Sequence, residues 1–153
     1  MMPMTKLLQR SAWLAWALLA LSGFGFLFMV MDDKPPFQML GYEKATVSPG
    51  EILRIEASVK RELSRRCSVT FSRHLFDVEG TRIDVVPDTY MPASALEELQ
   101  RLTPDKLKLA IPIPSYVKPG PATLVVPLAY QCNAWHALRP IETRMVVAFE
   151  VVQ

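Results

Sequence analysis

The chain has 153 residues, about half of them hydrophobic, with 17 basic against 15 acidic side chains and only two cysteines. That length holds one domain with an appendage. Three of the basic and two of the acidic residues lie within residues 1–34, leaving 14 against 13 beyond them; so neutral a remainder lacks the basic footprint of a nucleic-acid binder, and no nucleic-acid partner is expected.

Residues 12–31 read AWLAWALLALSGFGFLFMVM without a charge, close to the roughly 20 apolar residues that cross a ~30 Å hydrocarbon core as a helix. Lys6 and Arg10 precede this run and Asp32 and Asp33 follow it. The basic flank places residues 1–11 in the cytoplasm and the C-terminal part outside, as a single-pass protein of the inner membrane with a periplasmic or equivalent extracytoplasmic domain. A cleaved signal peptide shares the basic start and apolar run. The best small-residue site, Ala20-Leu21-Ser22, would leave a mature start still apolar for several residues, so the reading adopted is an uncleaved anchor in the lipid bilayer.

Residues 32–42, with Pro35-Pro36, read as a short stiff linker, and residues 43–153 as the domain. Lys44 to Val47 forms a short strand closed by the turn Ser48-Pro49-Gly50. In Ile52 to Lys60, Leu53, Ile55, Ala57 and Val59 fall on one face and Arg54, Glu56, Ser58 and Lys60 on the other, the period of a strand with one wet face. After a polar connection, Cys67, Val69 and Phe71 start a strand that runs to Asp77, and Glu79-Gly80 turns it into Thr81–Val86. Pro87 to Met91 reads as irregular. Ser94-Ala95-Leu96-Glu97 has the form of a capping box ahead of Leu96, Leu99 and Leu102 at helical spacing, with Thr103-Pro104 as the stop. Leu107 to Ile113 alternates up to Pro112 and Pro114, which cannot donate to a ladder, so this strand belongs at an edge or ends there.

Thr123 to Cys132 alternates with Leu124, Val126, Leu128, Tyr130 and Cys132 on one parity, and should be a central strand. A loop, Asn133 to Ile141, leads to a last strand with Met145, Val147, Phe149 and Val151 inward. Six or seven short strands, one short inserted helix and no repeat make the expected class all-β, a β-sandwich behind one transmembrane helix.

Residues 43–153, with Tyr130-x-Cys132 ending the penultimate strand, resemble immunoglobulin and fibronectin type III sandwiches. The buried Trp of antibody domains is missing, since Val69 and Phe71 occupy that run. The resemblance implies that the strands opened by Cys67 and closed by Cys132 are antiparallel neighbours, so the pair would bridge neighbouring strands. Two cysteines in an exported domain are expected to form a disulfide; buried free thiols are the alternative. Tyr130 resembles a tyrosine corner, a structural residue whose hydroxyl bonds nearby backbone. The basic start, span, proline linker, Ser48-Pro49-Gly50, Arg66-Cys67, Phe76-Asp77, Pro119-Gly120-Pro121-Ala122 and Tyr130-Gln131-Cys132-Asn133 together are similar to small membrane proteins encoded by bacteriophages.

No catalytic residue, cofactor or metal is expected. Cys67, Cys132, His74 and His136 make a Cys2His2 inventory, but seven strand residues put Cys67 and His74 about 23 Å apart, too far for one zinc. A Cys132–His136 dyad would need a free exposed thiol. Asp77, Asp84 and Asp88 read as solvated loop charges. The candidate binding surface is the Asn133–Pro140 loop, with Asn133, Trp135, His136 and Arg139, joined at the same end by Arg65 and Arg66, since Trp and Arg are the types enriched at hot spots. Trp135 reads equally as a plug over the core. The expected function is a non-enzymatic, membrane-anchored interaction module, phage-encoded and acting on an envelope or membrane protein of the host. A lysis or permeability regulator oligomerising through the Gly23-Phe24-Gly25 segment is the alternative.

Overall fold

Between Ile52 and Arg61 every second side chain is buried: Leu53, Ile55, Ala57 and Val59 lie in the core of the computed structural model, and Arg54, Glu56, Ser58 and Lys60 lie in solvent. The same period organises most of the other strands. The structure describes residues 4–62, 64–103 and 105–153, with side chains from residue 13 onward. The Lys6 and Arg10 side chains and the helix-stopping Pro104 lie outside the described residues.

Two units are compact, one ending at Asp33 and the other covering Lys34–Gln153. The first is helix α1 (Met4–Met31), in which Trp13–Met31 is long and apolar enough to cross a membrane. Ser22 Oγ donates to the Leu19 carbonyl at 2.9 Å, so the one hydroxyl in this stretch is satisfied within the helix, as a hydrocarbon surrounding would require.

The second unit has eight strands, β1 (Phe37–Tyr42), β2 (Thr46–Val47), β3 (Ile52–Arg61), β4 (Ser68–Phe76), β5 (Arg82–Met91), β6 (Lys106–Pro112), β7 (Gly120–Gln131) and β8 (Ile141–Val151), with helix α2 (Ala93–Leu102) between β5 and β6. They form a three-stranded sheet in the order β1-β3-β6 and a five-stranded sheet in the order β2-β8-β7-β4-β5. Only β2–β8 is parallel. Leu53, Ile55 and Ile111 of the smaller sheet share one core with Leu75, Leu124 and Val147 of the larger. The chain is thus mostly β, with two sheets on a common core and two α-helices.

The alternation of Thr123–Cys132 has the consequence expected of it, since β7 is the middle strand of five. Pro127 within it cannot donate to a ladder. The β4–β7 register accommodates this: it runs to Phe71↔Leu128, breaks, and resumes at His74↔Val125, so Pro127 lies in the gap. β6, which ends at Pro112, is an edge strand.

Four expectations are corrected. Part of the linker 32–42 is β1, paired with β3 from Phe37↔Arg61 to Tyr42↔Ala57, because Met39 and Tyr42 find partial burial there. Tyr42 also accepts a hydrogen bond from Ala148 N–H at 2.9 Å, which ties β1 to the open flank of β8. Pro87–Met91 belongs to β5, an edge strand whose pairing with β4 slips around Arg73 and so tolerates Pro87. The capping box does not form: Pro92 is the N-cap of α2, without a side-chain cap, and Glu97 pairs instead with Arg66 at 3.6 Å. Among the described residues the strands number eight, not six or seven.

Candidate functional site

Strand phase carries from Cys67 through Val69, Phe71 and Arg73 to Leu75. Cys67, Val69 and Leu75 are buried, Phe71 packs against the core, and Arg73 is the one charge on this face. Its guanidinium lies over the Phe71 ring, 5.4 Å from the centroid. Its Nε is buried without a hydrogen-bond partner among the described residues. Burial pushes Arg73 below the ordinary arginine range, yet a guanidinium starts so high that it stays charged. An unsatisfied buried donor of this kind costs roughly 1–3 kcal/mol.

Arg73 borders a cavity of about 120 Å³, of the same order as the ~150 Å³ engineered cavity that accepts a benzene. The cavity lies where two apolar clusters fail to merge. On one side are Leu107, Leu109, Val126 and Met145, and on the other Val69 and Tyr130 beside the cysteines, with Phe71 and Leu128 touching both clusters. Helix α2 contributes Leu96, Leu99 and Gln100 to the lining; Gln100 is its only buried residue. The amphipathic spacing of α2 thus turns an apolar face over the gap between the sheets, while Leu102 stays exposed.

A second arginine borders the cavity and is differently employed. Arg61 donates to the Thr103 carbonyl, to Thr103 Oγ1 at 3.3 Å and to the Lys106 carbonyl at 3.3 Å, and sits 5.9 Å from the Phe37 ring centroid. It secures the C-terminal end of α2 to the start of β6. Burial lowers its pKa as well. Tyr130 is 3% exposed, and burial pushes its phenol far above the ordinary range, so it stays neutral. The backbone bond expected of a tyrosine corner is not made among the described residues; Tyr130 lines the cavity with Arg61 instead.

Cys67 and Cys132 are joined in a disulfide across the end of the β4–β7 ladder, one step beyond Ser68↔Gln131. This bridge brings the candidate loops together. Arg65 Nη1 donates to the Lys34 carbonyl at 2.7 Å, and Arg66 reaches Glu97. The Asn133–Pro140 loop contains one 3-10 turn, Trp135–Ala137. His136 is 2% exposed: its Nδ1 accepts from the Cys132 backbone N–H at 3.3 Å, and its backbone N–H donates to Asn133 Oδ1 at 3.1 Å. His136 and Asn133 therefore hold the loop, Trp135 is half-buried, and only Arg139 among the four is exposed.

On the outer face of β4, Ser72 Oγ lies 3.0 Å from His74 Nε2, and His74 Nδ1 lies 2.7 Å from Asp84 Oδ1. Arg82 Nε donates to the same carboxylate oxygen at 2.9 Å. The spacing is that of a nucleophile, a base and its orienting acid. Ser72 is 5% exposed, so the cluster works as a hydrogen-bonded clamp across the bulged β4–β5 pairing. Asp84 was expected to be a solvated loop charge; it belongs to β5 and to this clamp.

Arg73 lies outside the candidate surface expected from the sequence. The signal was available, since extending the Cys67-Val69-Phe71 parity by one step puts an arginine on the core face.

No family model and no curated protein matches the chain. Among solved structures it is similar to the Pseudomonas fluorescens alkylpurine DNA glycosylase AlkC bound to DNA containing an abasic site analog, with a TM-score of 0.38 and 11% identity over 82% of this chain and 33% of that one. That protein is an enzyme on DNA, so the expectations of a non-enzymatic chain and of no nucleic-acid partner are corrected: neither exclusion stands. The likeness is too slight to bring catalysis or DNA binding to this chain, and it says nothing of a lipid or envelope-protein partner.

Proposed function

We propose that the chain is a membrane-anchored binding module, displayed outside the cytoplasm on an immunoglobulin-like sandwich, with the cavity beneath α2 as its binding site. The inward Arg73, whose Nε is buried without an acceptor among the described residues beside an apolar cavity, is the observation that carries this reading. The apolar Trp13–Met31 stretch supports the anchor, and the Cys67–Cys132 bridge supports an oxidising compartment. Antiparallel β4 and β7 joined at their ends, in sheets of three and five strands, support the immunoglobulin-like reading. The sequence likeness to phage-encoded membrane proteins supports a setting at the cell envelope.

Alkaline phosphatase fused after Gln153 tests the display, because that enzyme is active only where disulfides form. We expect an active fusion that stays in the membrane fraction after alkaline washing. An inactive fusion, or an active one released as a shortened soluble chain, overturns the anchored, outward-facing reading.

A further inference from the structure

We infer that the cavity takes a small amphiphilic carboxylate, one short acyl or aromatic group carrying a single carboxylate, with its apolar end beneath α2 and its carboxylate on the Arg73 guanidinium. This rests on the reading of the cavity as a binding site and names its ligand class.

Three observations converge on that class. The cavity is lined chiefly by apolar side chains and is about 120 Å³ in volume. It therefore holds one short apolar group and has no room for a second chain. Of the two arginines at its wall, Arg61 already donates to Thr103 and Lys106, while Arg73 Nε has no acceptor among the described residues. Arg73 Nε can thus take an acceptor, and the charge of the guanidinium favours an anionic one. Finally, the Phe71 ring lies under the Arg73 guanidinium, which leaves the guanidinium edge to face a planar, bidentate partner such as a carboxylate.

A merely structural role for Arg73 is the competing explanation. Inward-pointing charges guard edge strands against pairing with other chains, and β5 is an edge. A guard would need no ligand and would show no preference among small molecules.

The test uses the full chain in phosphatidylcholine nanodiscs with carbon-13 methyl-labelled methionine, since Met91 and Met145 both line the cavity. Hexanoate, hexan-1-ol and hexylamine are titrated in turn. We expect saturable shifts of both methyl resonances, with hexanoate bound about tenfold tighter than hexan-1-ol, as a charge-assisted pair requires. Arg73→Leu should erase that difference, Arg73→Lys should keep part of it, and Leu96→Trp, which fills the cavity, should block both ligands. Unmoved Met91 and Met145 resonances overturn the proposal. So does hexanoate binding that is equal in the parent and in Arg73→Leu, or, should that variant not fold, equal for hexanoate and hexan-1-ol in the parent and Arg73→Lys. An inactive phosphatase fusion with hexanoate still bound would sink the display alone and leave this site standing.

Discussion

Arg61 and Arg73 are the same residue type in two different electrostatic situations. Arg61 meets three oxygen acceptors, whereas Arg73 is partly buried over a phenyl face and leaves Nε unsatisfied. Removing an unsatisfied buried donor in favour of an apolar group relieves its desolvation. Arg73→Leu should therefore raise the urea midpoint of the unliganded protein, by a stability gain of about 1 kcal/mol. A lowered midpoint would mean that Arg73 already has its partner in the free protein. Asp84 offers a second residue-scale prediction. Its carboxyl is held below the ordinary range, first by the hydrogen bond from Arg82 and then by His74. A group that binds its proton less tightly when folded favours the fold where it is ionised, so this contribution is complete above a pH of about 4 and is lost as pH falls through the lowered folded value. Asp84→Asn should accordingly lower the urea midpoint at neutral pH and lower it less at an acid pH below about 4. An equal loss at both would show that packing, not charge, is what the substitution removes.

Among the elements, α2 and the β4–β7 pair differ in how they are secured. β7 pairs with β8 along nearly its whole length and with β4 on its other side. Helix α2 buries one residue and is held at its end by Arg61 and on its flank by the exposed Arg66–Glu97 pair. An exposed pair of this kind contributes little. Helix α2 is therefore the least secured wall of the cavity, whereas the disulfide joins the two well-paired strands β4 and β7. The bridge closes a loop of sequence separation 65. On chain entropy such a closure stabilises by about 4 kcal/mol, with 2–4 kcal/mol commonly realised. Cys67→Ala with Cys132→Ala should reduce stability by that amount while leaving the Met91 and Met145 response to hexanoate qualitatively intact. Loss of the ligand response in a folded double variant would place the bridge within the site itself.

For the molecule as a whole, periodicity in the sequence was a good guide wherever a strand has one wet and one dry face. β3 and β8 were legible on that ground, and so was β7, including its place at the centre. The long apolar helix was legible from length and lack of charge alone. The cysteine pair was legible because the chain has just two cysteines, each in phase with a core strand, and they are joined. Where the pattern is weak, pairing partners decided: Phe37–Tyr42 has only partial burial and became a strand by joining β3, and β5 runs through Pro87 because its neighbour is bulged. His136 carried the types of signal that mark a surface site, Trp and Arg beside it in a loop, yet it is spent inside the loop on Cys132 and Asn133.

What the sequence determined by itself is local: the alternation of β3, β7 and β8, the apolar helix, and the turn at Glu79-Gly80, where Gly80 takes φ +75° and Asp77 Oδ1 accepts from the N–H groups of Glu79 and Thr81. These follow from side-chain size and backbone freedom within a few residues. What only the tertiary structure decided is non-local. Arg73 is an ordinary charge on an alternating strand until β4 is laid against β6 and α2, when its phase turns it toward the interior. A cavity exists only because two apolar clusters from distant segments stop short of each other. Burial and the absence of an acceptor are properties of the assembled surroundings, and no window of sequence contains them.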